Sequence, residues 1–341
     1  MENKKIVVLG MSGGVDSSVA LYLLKEQGFD VVGVTLKFFK SQDIETAKRI
    51  CQKYKVRHLT INAEKLFKEK IISYFLKEFK KGRTPSPCSF CNRDVKLELL
   101  LDVAKKEKAR YISTGHYVKI KDGLLLQSKD KTKDQTYFLA FLKKRHLEKL
   151  ILPLGDYTKQ EVYIIAKKEK IKIQEKPSQD LCFITNKVGE FLKERLGEKE
   201  GKTIDTKGNV LGEHKGTWFY TFGQRKGIKL AGGPFWVKGF DNNNLIVTKD
   251  EKELFSKKIL ISNLNFIVEK PKKPIQVEVK IRYKQELGKA SLRRASERIR
   301  GSRTSPNWEL IFDEPQRAPT PGQIAVFYKG KVCMGGGVIS K

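Results

Sequence analysis

The spacing of apolar residues changes once along the chain, at about residue 196. Before that point, short apolar runs alternate with amphipathic stretches of helical period. Strands are predicted at 6–9, 31–36, 58–61 and 111–117, and helices at 17–24, 43–54, 64–80 and 94–106. This alternation is typical of right-handed βαβ units, so it predicts an α/β domain with a doubly wound parallel sheet. Ligands of such sheets bind beyond the carboxyl ends of the strands.

After residue 196 the pattern is that of short strands separated by Gly and Asn/Asp turns. Runs at 201–205 and 217–224, with a hairpin tip at 242–244, predict a small β-rich central domain over 197–257. Runs at 277–283, 308–312 and 324–328 favour a small β-barrel over 258–341. The sequence therefore predicts three domains: 1–196, 197–257 and 258–341.

The first predicted strand runs directly into the sequence Gly-Met-Ser-Gly-Gly-Val-Asp-Ser at 10–17, and a helical pattern follows. Gly13 and Gly14 allow the backbone to approach an anion closely, while Ser12 and Ser17 place hydroxyls beside the free N–H groups of a helix N-terminus. The loop lacks the Gly-Lys-Ser/Thr ending of a P-loop and the spacing of a dinucleotide fingerprint. Because strand, loop and helix occur in the required order, a phosphate-binding loop is favoured over an ordinary turn.

The net charge of +30, from 69 basic and 39 acidic residues, favours a polyanionic partner such as nucleic acid. Lysines are spread along the whole chain, so part of this excess is a compositional bias. Residues 293–303 carry five arginines and form a candidate basic loop for nucleic acid. No stretch has the length of a membrane span and no signal peptide is evident, which predicts a cytoplasmic protein without a membrane partner.

Five cysteines are too few and too scattered for a disulfide scaffold. Cys88 and Cys91 form a Cys-x-x-Cys pair in a predicted loop over 82–93, which suggests redox, sulfur or metal chemistry. Structural zinc is disfavoured because a second pair is lacking. Cys91 precedes a predicted helix and lies close to Arg93, a setting that favours thiolate. Cys182 lies in a short, strand-like apolar piece, where a packed thiol is the simpler interpretation.

Three further residues are interpreted as structural or, in one case, as structural or catalytic. Cys51 and Cys333 are interpreted as packed thiols, and His116 either takes part in catalysis or orients the turn after the fourth strand.

The loop at 10–17 resembles the pyrophosphate-binding loop of the ATP pyrophosphatases. The whole chain is similar to the bacterial tRNA-specific 2-thiouridylase family. The similarity extends over nearly the full length, in the segments 10–18, 82–96, 113–117, 133–139, 180–184, 222–227, 281–283, 320–328 and 333–339. It implies an adenine-nucleotide alpha-hydrolase-like first domain and the synthesis of 2-thiouridine at the tRNA wobble position. ATP would adenylate the uridine C2 oxygen, and a cysteine persulfide would then supply sulfur with release of AMP and pyrophosphate.

The resemblance also implies roles for individual residues. Cys182 would carry the persulfide, and Cys91 would be its catalytic partner and form a disulfide with it. The ATP-binding residues would be Gly10, Met11, Ser12, Gly13, Gly14, Val15, Asp16, Ser17, Leu36 and Gly115. The target base would contact Ser86, Pro87 and Cys88, and tRNA would contact Lys133, Asp134, Gln135, Arg282 and Tyr283.

The implied cofactors are ATP and Mg²⁺, the metal held with help from Asp16, and the implied partners are tRNA and a sulfur-donor protein such as a cysteine desulfurase or a sulfur relay protein. Cys88 departs from the family pattern, in which many members have Asp at this position. An iron–sulfur cluster held by Cys88, Cys91 and Cys182 is therefore an alternative to the favoured persulfide route. Two other classes stay open: a different ATP pyrophosphatase, such as an amidating or RNA-modifying synthetase, and a non-catalytic RNA-binding protein.

Overall fold

The computed structural model describes residues 5–171, 181–184, 186–295 and 308–340. The first of these ranges contains a parallel sheet and most of the helices. Its strands are β1 (Ile6–Gly10), β2 (Asp30–Lys37), β3 (Arg57–Asn62), β4 (Tyr111–Ser113), β5 (Val118–Lys121), β6 (Leu124–Gln127) and β7 (Leu150–Ile151). The helices up to residue 196 are α1 (Val15–Glu26), α2 (Glu45–Lys53), α3 (Glu64–Phe67), α4 (Ser73–Lys80), α5 (Pro87–Cys91), α6 (Leu97–Lys106), α7 (Thr136–Leu139), α8 (Lys144–Leu147), α9 (Lys159–Lys168) and α10 (Val188–Leu196).

Five of these strands form an all-parallel sheet in the order β3-β2-β1-β4-β7. Alternate residues of β1 enter different cores, since Val8 packs in one apolar cluster and Val7 and Leu9 pack in the other. The predicted doubly wound domain is thus confirmed. β2 and β3 lie on one side of β1, and β4 and β7 lie on its other side. The end of β1 is therefore the point where the strand order reverses.

The predicted loop over 82–93 is wrong in its second half. Pro87 begins α5, which ends at Cys91, and a π-helical turn over Asn92–Lys96 joins it to α6. Proline suits the first helical position because its fixed φ is helical and its missing N–H would have no partner there. Both cysteines of the pair therefore lie on a short helix.

The central domain is a four-stranded sheet in the order β10-β11-β8-β9. Its strands are β8 (Gly201–Ile204), β9 (Val210–His214), β10 (Trp236–Asp241) and β11 (Asn244–Thr248). The predicted hairpin tip is confirmed by the pairing of Asp241 with Asn244. The strand predicted over 217–224 is wrong: Thr217–Phe219 is a 3-10 turn, and Gln224 closes a second turn by accepting a hydrogen bond from the Thr221 N–H.

The C-terminal domain is a closed barrel, as predicted. Its strands are β12 (Phe255–Phe266), β13 (Ile275–Lys280), β14 (Gly288–Arg294), β15 (Trp308–Arg317), β16 (Ile324–Lys329) and β17 (Val332–Ile339). Pairing in the order β12-β15-β14-β13-β16-β17 is closed by β12 with β17. Cys333 is fully buried in β17, and burial raises the pKa of its thiol to about 12. Of the predicted arginine-rich loop, residues 296–303 lie outside the described residues, while Arg293 and Arg294 end β14.

The first domain contributes two strands to the barrel sheet. The hairpin of β5 and β6 adds to β17, where Cys333 pairs with Leu125. Asn265 of β12 donates from its side-chain amide to the carbonyls of Ala140 and Leu142, both at 3.0 Å. These contacts attach the barrel to the α/β domain on the side of α7. No helix in the described ranges is long and apolar enough to cross a membrane.

All three domains meet at the segment 82–85, which leads into α5. The Thr84 N–H donates to the Pro321 carbonyl at 2.8 Å, and Gln323 donates to the Thr84 carbonyl at 3.1 Å. On the other side, the Thr84 hydroxyl donates to the Thr221 hydroxyl of the central domain at 3.2 Å. The position of the cysteine-bearing helix is therefore set by contacts from both C-terminal domains.

This junction predicts an effect of Gly322→Ala on stability. Gly322 has φ +93°, and a Cβ there would lie 2.9 Å from the Thr84 carbonyl oxygen. Gly330→Ala is the matched control, because its φ is +56° and no atom lies within 4 Å of the added Cβ. Both variants carry backbone strain of about 1–2 kcal/mol. We expect Gly322→Ala to lose about 1–3 kcal/mol more, since the crowded segment must move. Equal decreases in melting temperature for the two variants would contradict the close packing of this junction.

Candidate active site

The phosphate loop, residues 10–17, joins the end of β1 to α1. Both backbone polar groups of Met11 are hydrogen-bonded to β2. Its N–H donates to the Val34 carbonyl at 2.8 Å, and its carbonyl accepts from the Thr35 hydroxyl at 2.9 Å. Gly13 has φ +79°, and a Cβ there would lie 3.3 Å from Thr46 on α2. The loop therefore passes tightly between α1 and α2, which requires a glycine at this position.

Within the loop, serine hydroxyls organise the backbone. The Ser12 and Ser17 hydroxyl oxygens are 3.2 Å apart, and the Gly14 N–H points to the Ser12 hydroxyl at 3.3 Å. Gly14 is the N-cap of α1, and no side chain caps the helix. The first turn of α1 thus keeps N–H groups for an anion, as the loop sequence predicts.

Asp16, in the first turn of α1, is held by two residues that sequence reasoning missed. Its Oδ1 accepts a hydrogen bond from the Tyr117 hydroxyl at 2.7 Å and from the Lys159 ammonium at 2.6 Å. Tyr117 is buried, and the negative charge of Asp16 adds to burial in raising the pKa of the phenol, which stays protonated. The carboxylate is therefore oriented by one neutral and one cationic donor.

The same two donors connect Asp16 to the segment before α7. The Gln135 side chain accepts from the Tyr117 N–H at 2.9 Å, and the Lys159 N–H donates to Asp130 at 3.0 Å. These bonds attach the segment 130–135 to the phosphate loop through fixed partners.

Leu36 and Gly115 are the two residues outside the loop that the resemblance implies in ATP binding. Leu36 is buried near the end of β2, and the turn after it is closed by Gln42, which donates to the Leu36 carbonyl at 2.9 Å. A Cβ on Gly115 would lie 2.9 Å from the backbone of Asp16 and Ser17. Any side chain at Gly115 would displace the first turn of α1.

The two cysteines of α5 differ in exposure. Cys91 is 4% exposed, and burial raises the pKa of its thiol to about 12. Cys88 is half-buried. Of the residues proposed for base contact beside it, Ser86 is only 7% exposed and Pro87 is buried. At neutral pH the Cys91 side chain is therefore a protonated thiol.

Cys182 is exposed and lies in a turn, so the strand-like piece predicted for it is wrong. The next residue, Phe183, packs edge-on against Phe67 and Phe75, with ring centroids 5.7 and 5.2 Å apart. This aromatic anchor holds the Cys182 turn against the helices α3 and α4. Residues 172–180, which precede the turn, lie outside the described residues.

Lys96, which sequence reasoning also missed, lies at the electrostatic centre of the cysteine group. Burial alone would lower the pKa of its ammonium, but the thiolates of Cys91, Cys182 and Cys88 raise it. In return, Lys96 opposes the burial that raises the thiol pKa values of Cys91 and Cys182. Within the described part of the chain, no carboxylate pairs with Lys96. The sequence gives one hint of this role, which is that Lys96 follows Cys91 by five residues. A π-helical turn over Asn92–Lys96 places these two residues on the same side of the helix.

His116 connects the cysteine group to the phosphate loop. Burial first, and the charge of Lys96 second, lower the pKa of His116 to about 3. Its Nδ1 lies 2.7 Å from the Thr114 hydroxyl, and its chain neighbour Gly115 touches the first turn of α1. His116 is therefore neutral at physiological pH. A series of near neighbours, from the first turn of α1 through Gly115 and His116 to Lys96, thus relates the phosphate loop to the cysteines.

The five residues implied in tRNA contact come together from two domains. The ring of Phe138, on α7, packs at a tilt of 43° against the ring of Tyr283 of the barrel, with centroids 4.5 Å apart. Lys133 is exposed, whereas Asp134 is buried and accepts from the Ser128 N–H and the Thr136 hydroxyl. Arg282 is half-buried and donates to the Ala318 carbonyl at 2.6 Å. Asp134 and Arg282 thus have structural partners already, while Lys133 is free of side-chain bonds to described residues.

No group of three or more His, Cys, Asp or Glu side chains in the described ranges is arranged to hold a metal ion. This includes Cys88, Cys91 and Cys182, which influence one another's charge but do not form a three-ligand site.

The position of Lys96 predicts a change in thiol reactivity. Lys96→Met removes the cation that lowers the pKa of the Cys182 thiol, so less thiolate is present at a given pH. We expect iodoacetamide to alkylate Cys182 severalfold more slowly at pH 8, with the pH profile moved upward. Peptide mass spectrometry gives the rate for each cysteine.

Lys106→Met is the matched control, since Lys106 is exposed at the end of the same helix. If Lys96→Met alkylates as fast as this control and the wild type, the electrostatic role of Lys96 is wrong.

Three family models match the chain in succession. Residues 4–186 match the tRNA methyl transferase HUP domain, residues 189–249 the tRNA methyl transferase PRC-barrel domain, and residues 256–339 the aminomethyltransferase beta-barrel domain. The first match alone covers more than half of the chain. Together they follow the order of the α/β domain, the central sheet and the barrel.

Full-length relatives carry a single description. The chain is 40% identical over 367 residues to the tRNA-specific 2-thiouridylase MnmA of Clostridioides difficile, covering 99% of both chains. It is 41% identical over 369 residues to tRNA-specific 2-thiouridylase MnmA 1 of Thermoanaerobacter pseudethanolicus, covering 100% of this chain and 99% of the relative. It is 42% identical over 358 residues to the tRNA-specific 2-thiouridylase MnmA of Treponema denticola, covering 98% of this chain and 97% of the relative. Identity of this extent, over all three domains, means that the chain belongs to the tRNA-specific 2-thiouridylase family.

Proposed function

We propose that this protein synthesises 2-thiouridine at the wobble position of tRNA, using ATP to activate the base and a cysteine persulfide to supply sulfur. The observation that carries the proposal is the proximity of two sets of residues, the phosphate loop and the group of three cysteines: Gly115 packs against the first turn of α1, its neighbour His116 interacts with the charge of Lys96, and Lys96 interacts with the cysteines. One set suits nucleotide activation, the other suits sulfur transfer. The relatives named 2-thiouridylases support the same reaction.

ATP binds with its phosphates at residues 10–17. The N–H groups of the loop and of the first turn of α1, with the Ser12 and Ser17 hydroxyls, provide donors for the phosphate oxygens. Leu36 and Gly115 flank the nucleotide. Since charge develops on the α-phosphate during attack, donors fixed before the reaction stabilise the transition state more than the ground state.

The activation step makes the uridine C2 oxygen a leaving group. This oxygen attacks the α-phosphorus of ATP, the bond between the α-phosphorus and the bridging oxygen breaks, and pyrophosphate leaves. The product is a base whose C2 carries an adenylate. A carbonyl oxygen is a poor leaving group, whereas AMP is a good one.

The sulfur step uses two cysteines with different duties. The terminal sulfur of a Cys182 persulfide attacks C2, and AMP leaves with the former carbonyl oxygen. The Cys91 thiolate then attacks the Cys182 Sγ, which breaks the S–S bond and leaves sulfur on the base. The transferred sulfur is reduced, the two cysteines are oxidised to a disulfide, and an external thiol must reduce that disulfide before the next turnover. A sulfur-donor protein regenerates the persulfide.

The ionisation of the two cysteines supports these duties. Cys182 is exposed and can receive sulfur from a donor protein, while the buried Cys91 has a thiol pKa of about 12 and stays protonated at rest. A protonated Cys91 does not attack the persulfide prematurely. Lys96 stabilises whichever sulfur carries the negative charge.

Asp16 fits a magnesium ion that arrives with the nucleotide. Mg²⁺ in ATP sites is held by phosphates with only one or two protein carboxylates, so a larger ligand group is not required. Asp16 is the carboxylate of the loop, and its Oδ1 is oriented by Tyr117 and Lys159. The ion would neutralise charge on the phosphates when bound.

Two alternatives differ in what they need. The descriptions of the first two domains mention methyl transfer, which needs neither cleavage of ATP nor cysteines. An amidating synthetase would use the phosphate loop without a persulfide. Neither would account for Cys91, Cys182 and Lys96 beside the loop.

The proposal predicts that pyrophosphate release from ATP depends on tRNA. Ser12→Ala removes a hydroxyl that organises the loop and should abolish both pyrophosphate release and thiolation, with tRNA binding largely retained. Cys182→Ser is the matched variant: it should release at most one pyrophosphate per bound tRNA and form no 2-thiouridine. Thiolation by Cys182→Ser, or pyrophosphate release without tRNA, would contradict the proposal.

Cys88 provides a second test, between the persulfide route and an iron–sulfur cluster. On the persulfide route Cys88→Asp keeps activity, because it restores the residue common in the family. Anaerobic purification with iron analysis and visible absorption gives an independent readout. Stoichiometric iron that disappears together with activity in Cys88→Ser would overturn the persulfide route.

A further inference from the structure

A groove of about 430 Å³ lies in the central domain, lined by residues between 225 and 235, just before β10. Its lining combines buried apolar side chains with exposed basic side chains, which we call its rim. The lining includes Arg225, Ile228, Lys229, Leu230 and Phe235, with Gly227 and Gly233 leaving backbone exposed. The lining contains no acidic residue.

The basic residues of this groove have no acidic partners in the described chain. Arg225 and Lys229 of the lining are exposed, as is Lys249 beside it, and none of the three forms a salt bridge with a described residue. Two of them rest on aromatic rings: the Arg225 guanidinium lies 5.7 Å from the Trp236 ring, and the Lys249 ammonium lies 5.2 Å from the Phe235 ring. Elsewhere in the domain, basic residues do find partners, as Lys238 does with Glu253 at 2.6 Å. These cations are thus held near aromatic rings, and no acidic side chain of the described chain neutralises their charge.

The groove is held rigidly at its base. The Gly223 N–H donates to the Val237 carbonyl at 2.8 Å, and the Gln224 side chain donates to the Lys226 carbonyl at 2.9 Å. Ile228 and Phe235 are buried in the core of the domain. The basic side chains of the rim therefore extend from an ordered turn. As a result, the backbone loses little conformational freedom when an anion binds.

The turn just before the groove touches the elements that position the cysteine segment. A Cβ on Gly223 would lie 2.5 Å from the Ala318 side chain, next to the turn that Arg282 holds. Thr221, two residues earlier, bonds to Thr84 at the start of the cysteine segment. The groove thus belongs to the same continuous structure as the cysteine segment but lies in another domain.

We propose that this groove binds backbone phosphates of the tRNA, in a segment other than the nucleotides beside the modified base. The inference rests on the proposed function and adds a second contact to it. Unneutralised cations on an ordered rim suit a polyanion, and the exposed glycine backbone allows phosphate oxygens to approach closely. A tRNA that presents its anticodon loop to Cys182 is long enough to lie along the central domain as well. Phosphate contacts of this kind position the substrate without reading its sequence.

The test measures the salt dependence of binding to full-length tRNA and to the isolated anticodon stem-loop. Arg225→Gln with Lys229→Gln should weaken binding of full-length tRNA severalfold and lower the log–log salt slope by about 0.9 for each phosphate that is no longer neutralised. Binding of the stem-loop should stay unchanged. Lys202→Gln with Lys207→Gln is the matched control, since both residues are exposed on the same domain outside the groove.

Lys229→Gln alone is included because Arg225 packs on Trp236, and removal of the guanidinium could disturb the fold. Lys229 has φ +58°, and both lysine and glutamine carry a Cβ. The backbone strain at this position is therefore the same in the variant and in the wild type. Unchanged melting temperature with a shallower salt slope supports the inference. Wild-type slopes in both groove variants would overturn it, as would weaker transfer from the sulfur-donor protein with unaltered tRNA binding, which would assign the groove to an acidic protein surface. The proposed function fails separately, if the wild-type protein itself neither binds tRNA nor releases pyrophosphate in its presence.

Discussion

The arrangement of the active site depends on the segment 82–85, which the barrel holds by its backbone and the central domain holds through the Thr84 hydroxyl. Thr84 bonds to Pro321 and Gln323 of the barrel and to Thr221 of the central domain, and a Cβ on Gly82 would lie 2.8 Å from the Phe240 ring. Pro87 then starts the helix that carries Cys88 and Cys91. Because hydrogen bonds to a fixed backbone allow little sliding, the two β domains set the orientation of that helix.

The second constraint is electrostatic. A buried thiol such as Cys91 resists ionisation, so a cation is needed if sulfur chemistry is to proceed there. Lys96 provides it without a carboxylate partner in the described chain, and its charge also lowers the pKa of His116. His116 stays neutral and does not compete with Lys96 for a sulfur anion. Burial is thus the main influence on the ionisation of Cys91, Cys182 and His116, and the half-buried ammonium of Lys96 is the main charge that modifies it.

The sequence predicts the parts of this fold that have regular periods. The parallel sheet, α1 after the glycine loop, the central hairpin at Asp241 and the barrel follow from apolar spacing and turn residues. Contacts between distant segments leave no such signal. The addition of β6 to β17, the bond of Tyr117 to Asp16 and the approach of Lys96 to Cys182 depend on tertiary packing. At Pro87 the sequence predicts a loop because two prolines and a serine are typical of turns, although Pro87 in fact occupies a helix N-terminus.

The central claim is that the C2 oxygen of the target uridine is adenylated at the phosphate loop and is displaced there by sulfur from Cys182. Single-turnover reaction with tRNA labelled with ¹⁸O at that C2 oxygen tests both steps in one product. The account predicts that the label appears in the phosphate of AMP, in an amount equal to the 2-thiouridine formed. Thiolation with unlabelled AMP, the ¹⁸O passing instead to water, would contradict it.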